Sequence, residues 1–410
     1  MANERTRLGL RGSSVGWVDS SGIVRLDDRR APIAWWVAAD DRWHDPSRSP
    51  SMRQRRIDGT PVVETKLAVP GGDVVQTVFA VADQGGCLVA RFTNRSPAAV
   101  VVAVPAVDAS TTASTTGTTP QGIDLPDGVR AFPLAHGGVL TFAWSLSRRR
   151  WRRRSNPDVA ALASAEQVVR GWVNAGERAS RIPSDAEGLT TARSTLLLAE
   201  PRDLDELLRR EPALGILAIG ERVRMGDPAH PWVEQCADAV RRVAMQPAES
   251  VWSSRAFPLA AYVLTQAGEH EAARDVTDLW RRTAIAEPSV AGAPRFGADV
   301  SSADDANSAL ADATIAAARI EDRLVRAVDP DVVHLLPDGV APWLGNNIEA
   351  HGVLAGAQHR LSFAIRWHGK NAAVLWELEG PPGMRLQAPQ VDPRFSTSDA
   401  HGEALLEVRP

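Results

Sequence analysis

Two tryptophans, a histidine and a glutamate near the carboxyl end of the chain have side chains that could take part in acid–base chemistry. Trp367 and His368 precede a short turn, and Trp376 and Glu377 follow it. Aromatic, apolar surroundings raise the pKa of a carboxyl group, which is what a general acid requires. Glu377 is therefore a candidate catalytic residue. The alternative is that Glu377 pairs with Arg366 or caps a turn at the end of a strand.

Tryptophans also cluster near the amino end of the chain, where they could bind a ligand. A tryptophan ring is large and flat, so it can stack on the apolar face of a sugar and can equally well fill a core. The sequence predicts two carbohydrate-binding platforms, one at each cluster: Trp35, Trp36 and Trp43, and Trp367, His368 and Trp376. Core packing is the alternative for each ring.

Composition and motif spacing exclude several other kinds of site. The formal net charge of −4 creates no field that would recruit nucleic acid or an anionic membrane. The chain has two cysteines, and its nine histidines lack the spacing of a zinc site. It also lacks a phosphate-binding loop and a dinucleotide-binding motif. We therefore expect no metal, no cofactor, no nucleic acid and no membrane partner, and the sequence does not indicate a particular protein partner.

Hydrophobic patterning also predicts where the protein resides. No stretch reaches the roughly 20 apolar residues of a membrane helix. The first residues of the chain lack the apolar core of a secretory signal. The sequence therefore predicts a cytoplasmic protein.

Residues 1–147 have the pattern of an antiparallel β-sandwich domain. Short apolar segments, such as residues 74–81 and 87–92, alternate with turn residues. Many short strands without helical periodicity are typical of a sandwich. An arginine-rich connector follows at 148–156, which we expect to be solvated or paired with carboxylates.

The remaining chain predicts two more domains. Residues 157–329 change to the period of amphipathic helices, with about eight helices joined by short connections. Residues 330–410 return to strands and form a small β domain. Within that domain, residues 359–367 and 372–379 flank a short turn, as in a β-hairpin.

The order of these regions and several short motifs resemble a known family. Residues 342–345 are Pro-Trp-Leu-Gly, residues 366–369 are Arg-Trp-His-Gly, and residues 373–377 are Ala-Val-Leu-Trp-Glu. The chain resembles the (α/α)-toroid glycoside hydrolases, in particular glycogen-debranching-like and glucoamylase-like proteins of the actinobacterial type. The resemblance implies a multidomain β + α fold with an N-terminal antiparallel β-sandwich, an abbreviated α/α-toroid of helical hairpins and a small C-terminal β-sheet.

The resemblance also implies a role in carbohydrate metabolism. A glycoside hydrolase of this kind would cleave an α-glucan or related oligosaccharide with two carboxyl groups, about 6.5–9.5 Å apart in the inverting mechanism. The family's toroid has twelve helices, and this chain predicts fewer. The alternative is a non-catalytic relative, a pseudoenzyme that serves as a sugar-binding or protein-interaction module. No motif identifies the carboxylate pair. Candidates near predicted loops are Glu187, Glu200, Glu234, Asp299, Asp304 and Asp305.

Overall fold

The computed structural model describes the chain at residues 5–27, 31–40, 42–105, 109–115, 125, 128–146, 157–245, 252–283, 305–368 and 371–408. The chain divides into two compact units, Met1–Val173 and Asn174–Pro410. The described residues form five sheets and eight helices. The predicted β + α class is confirmed at this level, and the arrangement of the helices as a toroid stays a prediction.

The first unit consists mainly of antiparallel strands. Their bounds are β1 (Thr6–Leu10), β2 (Ser13–Val18), β3 (Val24–Leu26), β4 (Trp36–Ala39), β5 (Arg42–His44), β6 (Arg53–Arg56), β7 (Val63–Val69), β8 (Gly72–Val81), β9 (Cys87–Asn94), β10 (Val100–Pro105), β11 (Val129–Leu134) and β12 (Val139–Ser145). They form three sheets with the orders β1-β2-β3, β11-β10-β4-β5 and β12-β9-β8-β7-β6. Helix α1 (Ala165–Glu177) begins in this unit.

The sequence of strand β8 is almost continuously apolar because both faces of the strand are buried. Val74 and Val78 lie on one face and belong to the main core cluster. Phe79 and Val81 lie on the other face and join a second cluster that includes residues of α1. Because both faces of the strand are covered, the alternation of apolar and polar residues expected for a half-exposed strand is lost.

Aromatic rings fill the main core of the first unit. The ring centroids of Trp35 and Phe92 lie 5.4 Å apart, and those of Phe92 and Phe142 lie 6.0 Å apart. The ring of Trp144 stacks on Phe142 at 6.1 Å. Ring pairs at these separations stabilise a core beyond the apolar area that they bury.

The second unit contains the other helices, with α4 at their centre. Their bounds are α2 (Ala186–Leu198), α3 (Pro201–Arg210), α4 (Pro212–Arg224), α5 (Val233–Met245), α6 (Ser253–Gln266), α7 (His270–Thr283) and α8 (Asp305–Asp322). Every residue of α4 is buried. Two glycines permit its close packing: a Cβ at Gly215 would lie 2.3 Å from Leu208 of α3, and one at Gly220 would lie 2.7 Å from Leu259 of α6.

Two four-stranded sheets complete the second unit. Their strands are β13 (Val325–Asp329), β14 (Val332–Leu335), β15 (Ile348–Gly356), β16 (His359–His368), β17 (Asn371–Glu379), β18 (Arg385–Ala388), β19 (Asp392–Thr397) and β20 (His401–Glu407). The orders are β13-β14-β18-β19 and β15-β16-β17-β20. The two sheets contact each other through the rings of Trp376 and Phe395, whose centroids lie 5.5 Å apart. The predicted hairpin is confirmed as β16 and β17.

The predicted change from strands to helices and back to strands is confirmed along the described chain. The strands of the first unit end at Ser145, and helices follow from Ala165 to Asp322. The predicted domain limits at 1–147, 157–329 and 330–410 stay predictions. The arginine-rich connector at 148–156 lies outside the described residues.

Candidate functional site

The residues predicted as a catalytic cluster lie on opposite faces of the sheet that contains β17. Trp376 is 7% exposed, and its ring contacts Phe395 on the face toward the other sheet. Glu377 is exposed on the opposite face, because successive side chains of a strand alternate. The prediction that aromatic side chains surround Glu377 is therefore wrong. Its cross-strand neighbours are Ser362 and His401.

Trp367 and His368 are successive residues of β16, so their side chains also lie on opposite faces of the sheet. His368 is exposed at the end of β16. Trp367 is half-buried, and its Nε1 donates a hydrogen bond of 2.7 Å to the backbone oxygen of Asn346. These residues and the buried Trp376 do not form one continuous surface. A sugar contact at Trp367 stays a prediction.

The amino-terminal tryptophans belong largely to the interior of the first unit. Trp35 is 1% exposed, and its Nε1 donates to the backbone oxygen of Ser21 over 3.1 Å. Trp43 is 6% exposed and lies in a small apolar cluster, against which the half-buried Trp36 packs. A buried ring offers no face for stacking. The predicted platform is therefore reduced to Trp36, whose contact with a sugar stays a prediction.

A cleft of about 410 Å³ lies within the second unit, between helix α6 and two strand ends. Helix α6 lines one side. The turn between β15 and β16 and the segment after β17 line the other side. Its polar lining includes Tyr262, Gln266, Gln358, His359, Arg360 and Glu379.

Hydrogen bonds and one close backbone approach hold the polar groups of this cleft in place. Nη2 of Arg360 donates to the hydroxyl of Tyr262 over 3.3 Å, which links β16 to α6. Nε2 of His359 lies 2.8 Å from the backbone oxygen of Pro381 and donates to it in the tautomer that is protonated there. Gly380 permits this contact, because a Cβ at Gly380 would lie 2.5 Å from Cδ2 of His359. Its φ of +134° also favours glycine.

A buried ion-pair network joins four helices of the same unit. The carboxylate of Glu321 on α8 accepts hydrogen bonds from Arg193 of α2 at 3.0 Å and from Arg224 of α4 at 2.8 and 2.9 Å. Arg255 of α6 donates to it as well. Glu221 of α4 accepts a hydrogen bond of 2.6 Å from each of Arg193 and Arg224.

The charges in this network keep Glu321 ionised. Burial disfavours its charged form, but the surrounding arginines, Arg224 foremost, outweigh burial and hold the pKa of Glu321 well below its usual range. Burial also opposes the charge on Arg224, yet Glu221 and Glu321 raise the pKa of Arg224. Arg255 and Tyr262 both belong to α6, so the network includes a residue of the helix that lines the cleft. A carboxylate held in its ionised form cannot supply the proton of a general acid, and we assign the network a structural role.

A second charged cluster lies on the exposed face of the sheet. Nε2 of His351 is 2.7 Å from Oε1 of Glu349, and Arg181 and Arg366 lie 3.9 and 3.7 Å from the same carboxylate. The hydrogen bond with His351 has the largest effect in lowering the pKa of Glu349, and the nearby charges of Arg366 and Arg181 lower it further. Arg181 and His351 also exchange backbone hydrogen bonds of 2.9 and 2.8 Å. The cluster therefore anchors the segment before α2 to β15.

Three of the six carboxylates proposed from the helical region lie at the starts of helices. Glu187 and Glu234 lie in the first turns of α2 and α5, where negative charge is favourable. The backbone N–H of Glu200 donates to Asp203 over 3.1 Å at the start of α3. None of the three lines the Tyr262 cleft. Three further candidates have side chains outside the described residues: Asp299, Asp304 and Asp305.

The described part of the chain contains neither a metal-binding cluster nor a membrane-spanning helix. No group of three or more histidine, cysteine, aspartate and glutamate side chains there is arranged to hold a metal ion. Nor does that part contain a helix long and apolar enough to cross a membrane.

Comparison with known proteins assigns no family to this chain. No family model matches it, and no curated protein matches it. Among solved structures, a bacterial glucoamylase complexed with acarbose aligns with 70% of this chain and 67% of its own chain. The sequence identity is 8% and the TM-score is 0.28. A TM-score this low does not establish a shared fold, and the resemblance to toroid glycoside hydrolases stays a prediction.

The cleft was not predicted from the sequence. Its residues come from α6, from the β15–β16 turn and from the end of β17, which are far apart in the chain. One signal was available, because Tyr262 is the only tyrosine among 410 residues. A lone residue type does not indicate a site without knowledge of what surrounds it.

Proposed function

We propose that this chain binds an uncharged oligosaccharide in the Tyr262 cleft and does not cleave it. The observation that supports this function is the size of the cleft together with its polar lining. A volume of about 410 Å³ falls within the range of small-molecule sites. The amides of Gln266 and Gln358 both donate and accept hydrogen bonds, as the hydroxyl groups of a sugar require.

Tyr262 and Arg360 act together at the centre of this lining. The Tyr262 oxygen accepts a hydrogen bond from Arg360, so its own O–H is available to a ligand. Tyr262 is 7% exposed, so its ring offers little area on which a sugar could stack. Glu379 stands opposite Arg360 in the register of β16 and β17. Because the lining carries both signs of charge, an uncharged ligand fits it better than an ion.

The placement of the carboxylates favours binding over hydrolysis. Glu379 is the one carboxylate among the described residues that line the cleft. Glu377 lies two residues away on the same face of β17, at a Cα separation of roughly 6.6 Å. Two such side chains approach a ligand from the same side. In an inverting glycoside hydrolase the acid and the base flank the scissile bond and act on opposite faces of the sugar.

The single tyrosine allows a direct test of binding. Protein labelled with 3-fluorotyrosine has one fluorine resonance, which reports on the cleft alone. We expect titration with maltooligosaccharides or trehalose to shift this resonance saturably at about millimolar concentration, as weak binding of roughly 4 kcal/mol implies. Release of reducing sugar is followed in the same samples, and we expect none.

Matched variants separate the possible results. Arg360→Ala should weaken the titration at least tenfold, whereas Arg274→Ala, on an exposed arginine of α7, should leave it unchanged. If no glycan in a broad panel shifts the resonance, carbohydrate binding at this cleft is refuted. If reducing sugar is released and Glu379→Gln abolishes the release, the protein is a hydrolase and the non-catalytic proposal is wrong.

A further inference from the structure

Strand β20 leaves the edge of its sheet open from His401 to Leu405 within the described chain, whereas Asp392 and Arg394 of β19 lie against it at Glu407. It is the last strand in the order β15-β16-β17-β20, and it pairs antiparallel with β17. The backbone N–H of Leu378 donates to the oxygen of Ala400 over 2.6 Å. Since hydrogen-bonded pairs alternate along an antiparallel ladder, the even-numbered residues of β20 bond to β17. The backbone groups of the odd-numbered residues point to the open edge.

The odd-numbered residues of β20 are exposed in their side chains as well. They are His401, Glu403, Leu405 and Glu407. Leu405 is 58% exposed, and Leu375 on the neighbouring strand is 50% exposed. The register places these two leucines diagonally on the same face. An open edge beside exposed apolar side chains is a template for another strand.

We propose that this edge pairs antiparallel with β20 of a second copy of this chain, around a two-fold axis at Ala404. In that register Glu403 faces Leu405 of the second copy, and His401 faces Glu407 of the second copy, whose carboxylate accepts a hydrogen bond from Arg394 of its own chain. A shift of the axis to residue 403 would place Glu403 opposite itself. A shift to residue 405 would place Glu403 opposite Glu407. Like charges directly opposite each other are unfavourable, so the charges favour the register centred on Ala404 over the two registers on either side of it.

The hydrogen-bonding groups fit this register too. Glu403 and Leu405 direct their N–H and C=O groups outward, so the two copies form four hydrogen bonds between these residues. The N–H of Glu407 already donates to Oδ2 of Asp392 over 3.2 Å, but this bond leaves its carbonyl oxygen available. The pairing extends two four-stranded sheets into one, and it brings the apolar strips of Leu375 and Leu405 together across the axis. The interface is self-complementary, as a two-fold dimer requires.

Cysteine cross-linking of the full chain tests the register. At Ala404 the two copies form a non-hydrogen-bonded pair with a Cα separation of about 4.5 Å, which a disulfide can span. His401 would lie about 20 Å from its own equivalent, because the two are six residues out of register. We expect Ala404→Cys to form a reducible dimer under mild oxidation and His401→Cys to form none. The native cysteines, Cys87 and Cys236, are buried.

The mass in solution provides the second measurement. Size-exclusion chromatography with light scattering should give twice the mass of one chain. Leu405→Pro should weaken dimerisation at least tenfold without changing the circular dichroism spectrum of the folded chain, because the N–H that it removes points away from β17. If the wild type has the mass of a monomer at every concentration, the charged side chains prevent pairing at this edge and the proposal is wrong. Equal cross-linking of both cysteine variants, or a stable Leu405→Pro dimer, would overturn it as well.

Discussion

Replacement of Glu321 by glutamine should strongly destabilise the second unit. The Glu321 side chain is 1% exposed and faces Arg193, Arg224 and Arg255. The amide would leave these buried arginines without their shared counter-charge. Removal of one member of a buried ion pair typically costs about 3–5 kcal/mol. For a unit of this size, roughly 2–4 °C of melting temperature corresponds to 1 kcal/mol, so we expect a fall of about 10 °C.

Circular dichroism in the helical band measures this effect, because α2 to α8 all lie in the second unit. The matched control is Glu271→Gln, since the Glu271 side chain is 95% exposed and lies 3.9 Å from Arg274. Exposed pairs contribute little, and we expect a change within about 0.5 kcal/mol. If Glu321→Gln folds and melts within about 2 °C of the wild type at neutral pH, the assigned role of the network is wrong.

The same substitution should change how stability depends on pH. The arginines hold the pKa of Glu321 in the folded chain below the value of about 4.3 for an unfolded glutamate. Its contribution to stability is therefore present above that value and is lost as the pH falls toward the folded pKa. The difference in melting temperature between the wild type and Glu321→Gln should narrow below about pH 4.3. A constant difference in acid would contradict this assignment.

Three further predictions concern buried side chains and a close backbone approach. Trp35→Ala should cost about 3–5 kcal/mol because it empties a packed core, whereas Trp36→Ala should cost no more than about 2 kcal/mol; equal losses in denaturant titrations would contradict the assigned burial. Gly380→Ala should destabilise the protein by roughly 1–3 kcal/mol and weaken glycan binding, whereas Gly345→Ala, with a φ of +78° and open space around it, should cost only about 1 kcal/mol. Burial raises the pKa of Cys236 to about 12, and burial together with the charge of Asp83 raises the pKa of Cys87. Iodoacetamide should therefore label neither thiol in the folded protein at neutral pH and both after unfolding, and rapid labelling of the native chain would refute their burial.

The proposed cleft and the proposed dimer edge depend on different residues, so their tests are independent. The cleft lies at the end of β17 where Glu379 stands, and the dimer axis passes near Ala404 on β20. Leu405→Pro should therefore leave the fluorine titration of Tyr262 unchanged. Arg360→Ala should leave the mass in solution unchanged.

Local patterns in the sequence predicted much of the secondary structure. The run of apolar residues in β8 and the turn between β16 and β17 depend on neighbouring residues, which periodicity detects. Alternation along β17 would also have separated Trp376 from Glu377, since adjacent residues of a strand face opposite sides. The predicted catalytic cluster does not form, because residues that are adjacent in a strand are not neighbours on one face of the sheet.

The tertiary structure alone decided which charged side chains meet. Arg193 and Glu321 are 128 positions apart in the chain, yet Nη2 of Arg193 lies 3.0 Å from the Glu321 carboxylate. Each residue occurs within a helix where no local pattern marks it as buried. The Tyr262 cleft arises in the same way, because α6 and Arg360 are far apart in the chain and meet only in the folded structure. Composition and periodicity determine which elements form, and contacts between distant elements determine which side chains share a site.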